Sequence, residues 1–176
     1  MTNAIPSRRQ FLSGTATGAA ALALGPAAAS AEGNADTGFT YEVTRSEEEW
    51  KAMLSEKEYR ILRKGSTELP RSSDLWDETR NGLYCCRGCS LSVYEARNKV
   101  ELDKGWAFFQ HSFPNSVLTG IDGPQTEYGQ MATDLITLIE AHCRRCGSHL
   151  GHILKVDDQV LHCINGTALE FVPKEA

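Results

Sequence analysis

The sequence lacks features that would indicate several common classes of protein. It has no excess of basic residues, because 18 lysines and arginines stand against 23 acidic residues and give a net charge of −5. Nucleic-acid-binding proteins carry basic faces, so this balance argues against a nucleic-acid partner. No apolar run is long enough to cross a membrane, and the chain has no internal repeat. The 176 residues therefore suit one domain with short appendages.

The first residues have the pattern of an export signal. Arg8 and Arg9 lie in the stretch SRRQFL and precede a weakly apolar stretch that ends at a small-x-small cleavage signal, residues 29–31. A disordered alanine-rich tail and a transmembrane anchor are the alternatives, although the run is too short and too rich in Gly, Ser and Thr to span a bilayer. We therefore expect a periplasmic or otherwise exported protein. The predicted segments are a twin-arginine signal peptide at 1–31, a linker at 32–42 and the domain at 43–176.

The domain begins with the pattern of a helix. In the stretch TRSEEEWKAML, Thr44 or Ser46 is a candidate N-cap, and acidic residues occupy the first turn. Trp50, Met53 and Leu54 follow at helical spacing and form one apolar stripe. The sequence therefore predicts an amphipathic helix that buries this stripe.

A second helix and then a series of strands are expected after it. The stretch SEKEYRILRKG has Ser55 as its cap, Tyr59 and Leu62 facing inward, and Gly65 as its stop. Short apolar segments rich in β-branched or aromatic residues follow, separated by turn residues, which is typical of strands. These segments are LYCC, LSVYEA, GWAFFQ, DLITLIEAHC, VLHCING and ALEFV. The predicted fold is mainly β (α+β), with two N-terminal helices on an antiparallel β-core of two small sheets or a barrel.

Four of the six cysteines have the spacing of metal ligands. Cys86 and Cys89 form one C-x-x-C pair, and Cys143 and Cys146 form another. Two such turns supply the four thiolates that structural Zn²⁺ prefers, and the ion would clamp two distant parts of the β-core together. Two disulfides are the alternative in an exported protein. Zinc is favoured because a disulfide within a C-x-x-C turn closes almost no loop entropy.

Two cysteines remain, and one of them has polar neighbours suited to catalysis. Cys163 lies in an apolar strand-like run, and strand alternation places Asn165 on its face. His149 and His152, just beyond the second C-x-x-C pair, can supply an acid to a thiol nucleophile. A cysteine in an apolar strand is also compatible with an inert core residue, so the residues alone leave both interpretations open. Cys85 is next to a predicted ligand and is either incidental or an alternative ligand.

Five stretches, taken in order, resemble the methionine-R-sulfoxide reductase B family. They cover roughly residues 43–173, and the most specific combination is H-L-G-H after the second C-x-x-C pair followed by C-I-N. The stretches are EEEWKAMLSEKEYRILRKGSTELPRSSDLW, GLYCCRGC, GWAFF, CRRCGSHLGHIL and CINGTALEFVP. The resemblance implies a zinc-clamped β-fold that reduces the R epimer of methionine sulfoxide in peptides or proteins.

The resemblance also implies residue roles. Cys163 matches the nucleophile, which would pass through a sulfenic acid. His149, His152 and Asn165 match active-site positions, and Trp106 matches the aromatic residue that receives the substrate methyl group. The four cysteines of the C-x-x-C pairs match the ligands of one structural zinc ion.

The chain departs from the family at several of these positions. Leu161 stands where the family usually has an arginine, and Val156 where it has an aspartate, for which the adjacent Asp157 is a candidate substitute. The missing arginine removes a stabiliser of the thiolate. Lys104 stands where many members have a resolving cysteine, and Cys85 is not expected to reach Cys163. The expected partner is therefore an external thiol reductant such as a thioredoxin-like protein.

A non-catalytic protein is the alternative from a different class. A zinc-bearing β-fold derived from the reductase fold can act as a binding module, and fold alone does not separate it from an enzyme. The enzyme is favoured because Cys163, the two histidines, Asn165 and Trp106 are present together.

Overall fold

The computed structural model describes residues 39–122 and 138–174. The predicted signal peptide and most of the predicted linker lie outside the described residues, and so do the first residues of the predicted strand DLITLIEAHC. The predicted segment boundaries therefore stay predictions. No helix in the described ranges is long and apolar enough to cross a membrane.

Two helices, α1 (Glu47–Met53) and α2 (Glu56–Lys64), begin where local capping signals lie. Ser46 Oγ accepts a hydrogen bond from the N3 backbone amide of α1, and a glutamate returns the bond, forming a capping box. Ser55 caps α2 in the same way, and the helix ends at Gly65, as predicted. Of the predicted stripe, Met53 is 45% exposed and does not join the core, because α1 ends there.

Nine strands in the described residues form two antiparallel sheets. The first sheet has three strands in the order β2-β1-β9, and the second has six in the order β3-β4-β8-β7-β6-β5. Short 3₁₀ helices precede β3 and β9. The strands are β1 (Gly82–Cys86), β2 (Ser92–Glu95), β3 (Lys99–Val100), β4 (Ala107–Phe109), β5 (Val117–Asp122), β6 (Leu138–Cys143), β7 (His149–Val156), β8 (Gln159–Ile164) and β9 (Leu169–Pro173). The fold class was therefore predicted correctly, in its two-sheet form.

The main core lies between the helices and the two sheets. Its aromatic centre has the buried rings of Tyr94 and Phe109 stacked at 4.4 Å, with Tyr84 edge-on to Phe109 at 4.9 Å. Trp50 of α1 joins this core and lies between the guanidinium groups of Arg45 and Arg63. The helices thereby fix one face of the six-stranded sheet and leave its other face to form the site.

A smaller apolar cluster lies on that other face. Phe108, Val156 and Leu161 are its buried members, and Cys163 and Trp106 pack against it. Two of the positions at which the chain departs from the family, 156 and 161, therefore meet in one cluster. The side chains of Val156 and Leu161 therefore give Cys163 an apolar neighbourhood on this side.

Candidate active site and metal centre

The four cysteines of the C-x-x-C pairs converge on one point. Cys86 ends β1 of the three-stranded sheet, and Cys143 ends β6 of the six-stranded sheet. In each turn a backbone amide donates back to the first cysteine's carbonyl, as Ser90 does to Cys86 at 2.7 Å and Gly147 to Cys143 at 2.8 Å. All four Sγ atoms lie within 4.8 Å of one another. The cluster therefore connects the two sheets.

The spacing of the sulfur atoms fits a metal better than disulfides. The Cys86–Cys146 and Cys89–Cys143 Sγ pairs are 3.7 Å and 3.5 Å apart. Tetrahedral zinc with Zn–S bonds of ~2.3 Å requires sulfur atoms about 3.8 Å apart, whereas a disulfide requires ~2.05 Å. All six cysteines are free, and Cys85 lies outside the cluster, with its Sγ 3.5 Å from Ser92 Oγ.

Three arginines surround the cysteine cluster with positive charge. Arg63 Nη1 donates to the carbonyl of Cys146 at 3.2 Å, and Arg145 Nη1 donates to that of Cys89 at 3.3 Å. Arg45 Nη1 donates to the carbonyl within the first turn, at Gly88, at 3.4 Å. Four thiolates around one divalent cation carry a net charge of −2, so these guanidinium groups offset it. The donor set and its surroundings fit a metal ion.

Cys163 lies in a separate site, in the middle of the six-stranded sheet. It is on β8, opposite Phe108 on β4 and His152 on β7, and His152 is opposite Glu140 on β6. These four side chains form a row across one face of the sheet. Glycine is required beside them at Gly151, where a Cβ would lie 2.2 Å from the Cys163 carbonyl oxygen.

A cavity of about 270 Å³ opens over this row. It brings together most of the predicted site residues, which are Cys163, His152, Asn165 and Trp106. Apolar side chains form much of the remaining wall: Phe108, Leu138, Leu154 and Val156. An apolar cavity with a few convergent polar groups is suited to a small, mostly apolar ligand group.

Each of the two predicted catalytic histidines is held by a carboxylate. His149 Nδ1 lies 2.7 Å from Glu140 Oε1, and His152 Nε2 lies 2.8 Å from Asp122 Oδ2. The two rings are edge-to-face with their centroids 5.2 Å apart, although only His152 lines the cavity. His149 Nε2 is buried and has no hydrogen-bond partner among the described residues. A carboxylate on one nitrogen orients each ring and leaves the other nitrogen to exchange a proton.

Burial keeps the Cys163 sulfur protonated in the resting protein. The side chain is only partly exposed, and desolvation, with a smaller contribution from the Glu68 carboxylate, raises the pKa of the Cys163 thiol to about 12. Cys163 is therefore a neutral thiol at pH 7. The thiolate of Cys163 therefore has to form during the reaction, and other groups have to stabilise its negative charge at that stage.

Glu68 organises the wall of the cavity, and sequence inspection missed it. Its buried carboxylate accepts hydrogen bonds from the backbone amides of Gly166 and Thr167, at 2.6 and 2.9 Å. Its own backbone amide donates to Asn165 Oδ1 at 2.9 Å, and its carbonyl accepts from Trp106 Nε1 at 3.2 Å. Asn165 is thus a positioning group, with its Nδ2 donating to Leu150 O at 3.1 Å.

Three further observations correct or extend the sequence predictions. Asp157, the candidate substitute for the family aspartate, lies 3.1 Å from Lys104 Nζ, whereas the carboxylate that pairs with His152 is that of Asp122. Cys85 belongs to the three-stranded sheet and lies apart from the cavity over Cys163. The carboxylates of Asp122 and Glu140 were not predicted, because only strand register brings them to the histidines.

The chain is similar to a family of known reductases. Residues 54–173 match the sequence profile of the SelR domain. Peptide methionine sulfoxide reductase B2, chloroplastic, of Arabidopsis thaliana is 32% identical over 139 residues, which cover 75% of this chain and 62% of that protein. Peptide methionine sulfoxide reductase MsrB of Leifsonia xyli is 31% identical, covering 77% of this chain and 94% of that protein. The MsrB of Methanosarcina barkeri is 32% identical, covering 76% and 90%.

These matches establish the family. The chain spans less than two thirds of the Arabidopsis protein but nearly the whole of the two microbial ones. It belongs to the SelR domain family, which is the methionine-R-sulfoxide reductase B family that the sequence resembles. The non-catalytic binding module is not favoured, because the relatives are named as reductases.

Proposed function

We propose that this protein reduces the R epimer of methionine sulfoxide in peptides or proteins to methionine, with Cys163 as the nucleophile. The observation that supports this most directly is the shared cavity of Cys163, His152 and Trp106 over one row of the sheet. A sulfoxide needs a thiol to attack its sulfur and an acid to protonate its oxygen, and these side chains supply both. The indole of Trp106 offers a face for the methyl group, worth about 1 kcal/mol.

The chemistry balances with the Cys163 thiol. The sulfur attacks the sulfoxide sulfur while the thiol proton passes, through a histidine, to the sulfoxide oxygen. The oxygen then transfers to Cys163 as a sulfenic acid, which oxidises this cysteine by two electrons and releases reduced methionine. Two external thiols return the sulfenic acid to a thiol, with formation of a disulfide and water.

An external reductant is part of this proposal. All six cysteines are described by the structure, and the five other than Cys163 are either in the metal cluster or, as Cys85, in the other sheet. None of the five lines the cavity over Cys163. A thioredoxin-like protein or another dithiol is therefore the proposed electron donor.

The cysteine cluster is proposed to hold one structural Zn²⁺. Cys86, Cys89, Cys143 and Cys146 would bind the ion, and four thiolates leave it no open coordination position for chemistry. Its contribution is to tie the two sheets together and to fix the start of β7, which carries both histidines.

Export by the twin-arginine route is also proposed, from the sequence alone. Replacing both Arg8 and Arg9 with lysine is expected to leave the protein in the cytoplasmic fraction, whereas the unchanged chain moves to the periplasm. Immunoblotting of cell fractions measures this, and equal distribution of the two chains would contradict the export proposal.

The activity is tested with separated epimers of a methionine sulfoxide peptide. In the presence of dithiothreitol, the purified protein is expected to consume the R epimer and leave the S epimer unchanged. Chromatography of the products measures both. Consumption of neither epimer, or of both at equal rates, would overturn the proposed function.

A further inference from the structure

One lysine brings a full positive charge to the cavity over Cys163. Lys104 lines this cavity with Cys163, and it is the only lysine or arginine among the described residues that do so. The rest of the wall around the sulfur is apolar or uncharged apart from His152. An anion that forms on the Cys163 sulfur therefore has one permanent cation beside its cavity.

Arg71 contacts the two residues that flank Lys104, Asp103 and Gly105. Arg71 donates from its backbone amide to the carbonyl of Gly105 at 2.8 Å, and its guanidinium pairs with Asp103 at 2.5 Å. Gly105 has a φ of 87°, and a Cβ there would lie 2.7 Å from the Arg71 nitrogen, so only glycine allows this close approach. These contacts hold the backbone of the loop at the edge of the cavity, so the loop does not have to rearrange for Lys104 to reach it.

An acidic partner competes for the lysine. Asp157, in the turn between β7 and β8, lies 3.1 Å from Lys104 Nζ, and the two side chains are 58% and 40% exposed. A pair this exposed contributes little to folding, so either member can be replaced without unfolding the protein. The carboxylate of Asp157 therefore competes with an anion in the cavity for the ammonium group of Lys104.

The other ionisable groups near Cys163 are acidic or already have a carboxylate partner. The carboxyl group of Glu68 is buried, His152 is paired with Asp122, and His149 is paired with Glu140. Leu161 and Val156 bring no charge to their side of the sulfur. A histidine is positive only while it carries the transferred proton, whereas Lys104 offers a permanent positive charge at the cavity.

We propose that Lys104 stabilises the anionic form of the Cys163 sulfur during sulfoxide reduction, and that Asp157 limits this effect by pairing with the lysine. The proposal rests on the proposed function, since it concerns the same nucleophile. It assigns opposite effects to the two members of one ion pair. A purely structural ion pair would give the same effect for either replacement.

The test measures Cys163 reactivity with and without substrate. Lys104→Met is expected to slow the alkylation of Cys163 by iodoacetamide at one fixed, mildly alkaline pH about tenfold, and to lower kcat/KM for the R-sulfoxide peptide about tenfold. Asp157→Asn is expected to speed the alkylation and to raise kcat/KM a few-fold, and Lys104→Arg is expected to retain most of the activity. Mass spectrometry of the peptide containing Cys163 follows alkylation of this cysteine alone.

A neighbouring ion pair provides the matched control. Lys155 and Asp158 lie in the same hairpin, 2.7 Å apart, and neither lines the cavity. Lys155→Met and Asp158→Asn are expected to leave the alkylation rate at this pH and kcat/KM unchanged. Equal alkylation rates in Lys104→Met and the unchanged protein, or rate changes of the same sign in Lys104→Met and Asp157→Asn, would overturn the proposal.

The alkylation measurement also separates this proposal from the proposed function. It requires no substrate, so opposite rate changes in the two variants support the role of Lys104 even without turnover. Opposite rate changes in a protein that does not reduce the R epimer would uphold Lys104 as the stabilising charge and overturn the reductase activity.

Discussion

Replacing Cys163 with serine is expected to reduce turnover of an R-methionine sulfoxide peptide by on the order of 10⁴-fold or more, which is the range for loss of a catalytic nucleophile. A serine hydroxyl neither attacks the sulfoxide sulfur effectively nor carries its oxygen onward as a sulfenic acid. Steady-state kinetics with dithiothreitol measures the loss. A reagent that traps sulfenic acids, such as dimedone, is expected to label the unchanged protein after substrate is added without dithiothreitol, and to leave Cys163→Ser unlabelled.

Cys85→Ser provides the control for this result. Cys85 is buried in the three-stranded sheet, and its sulfur lies 3.5 Å from the Ser92 hydroxyl oxygen. Cys85→Ser is expected to keep the activity and the dimedone label. Cys163→Ser is expected to keep a melting temperature within a few degrees of that of the unchanged protein. Equally slow consumption of the R epimer by the unchanged protein and Cys163→Ser would rule out Cys163 as the nucleophile.

Signals confined to a few neighbouring residues were sufficient to predict the helices and the C-x-x-C turns of the four-cysteine cluster. A serine followed three residues later by glutamate marks the start of each helix, because both hydrogen bonds of the capping box are made within one turn. The C-x-x-C pairs are equally local, since each forms a single turn. Such features depend little on the rest of the chain.

Two of the strands around the site, β7 and β5, were harder to predict. β7 begins with H-L-G-H and shows no alternation of apolar and polar residues, because it is buried on both faces at its start. β5 includes a glycine and an aspartate, which are uncommon in strands. Both strands were missed, although β7 holds both histidines and β5 ends at Asp122, the partner of His152.

Contacts between distant parts of the chain account for the remaining omissions. Glu68 accepts bonds from residues 98 and 99 positions away, so no local pattern reveals that its carboxylate supports the Asn165 turn. Leu161 and Val156 were noted as two separate departures from the family. They are members of one apolar cluster. Because the arginine and the aspartate of the family are both replaced by aliphatic residues, neither replacement leaves a buried charge without a partner in this cluster.

Removal of the metal is expected to have the largest effect on stability. Metal binding contributes ~10–16 kcal/mol in small zinc domains, which is comparable to the whole folding free energy of a typical domain, ~5–15 kcal/mol. The cluster here joins two sheets, so a strong chelator or Cys146→Ser is expected to unfold the protein or to lower its melting temperature by tens of degrees. Calorimetry and elemental analysis measure the melting temperature and the bound zinc.

Cys85→Ser again offers a matched control, now for the loss of a ligand. Cys85 adjoins Cys86 in sequence, but its sulfur lies outside the four-sulfur cluster. The control is expected to retain one zinc per chain and an unchanged melting temperature, and zinc added to the chelated protein should restore both folding and reductase activity. A Cys146→Ser protein with a full complement of zinc and an unchanged melting temperature would contradict a four-thiolate site.

Because β7 starts three residues after Cys146, loss of the ion is also expected to displace both histidines, so that activity falls before unfolding is complete.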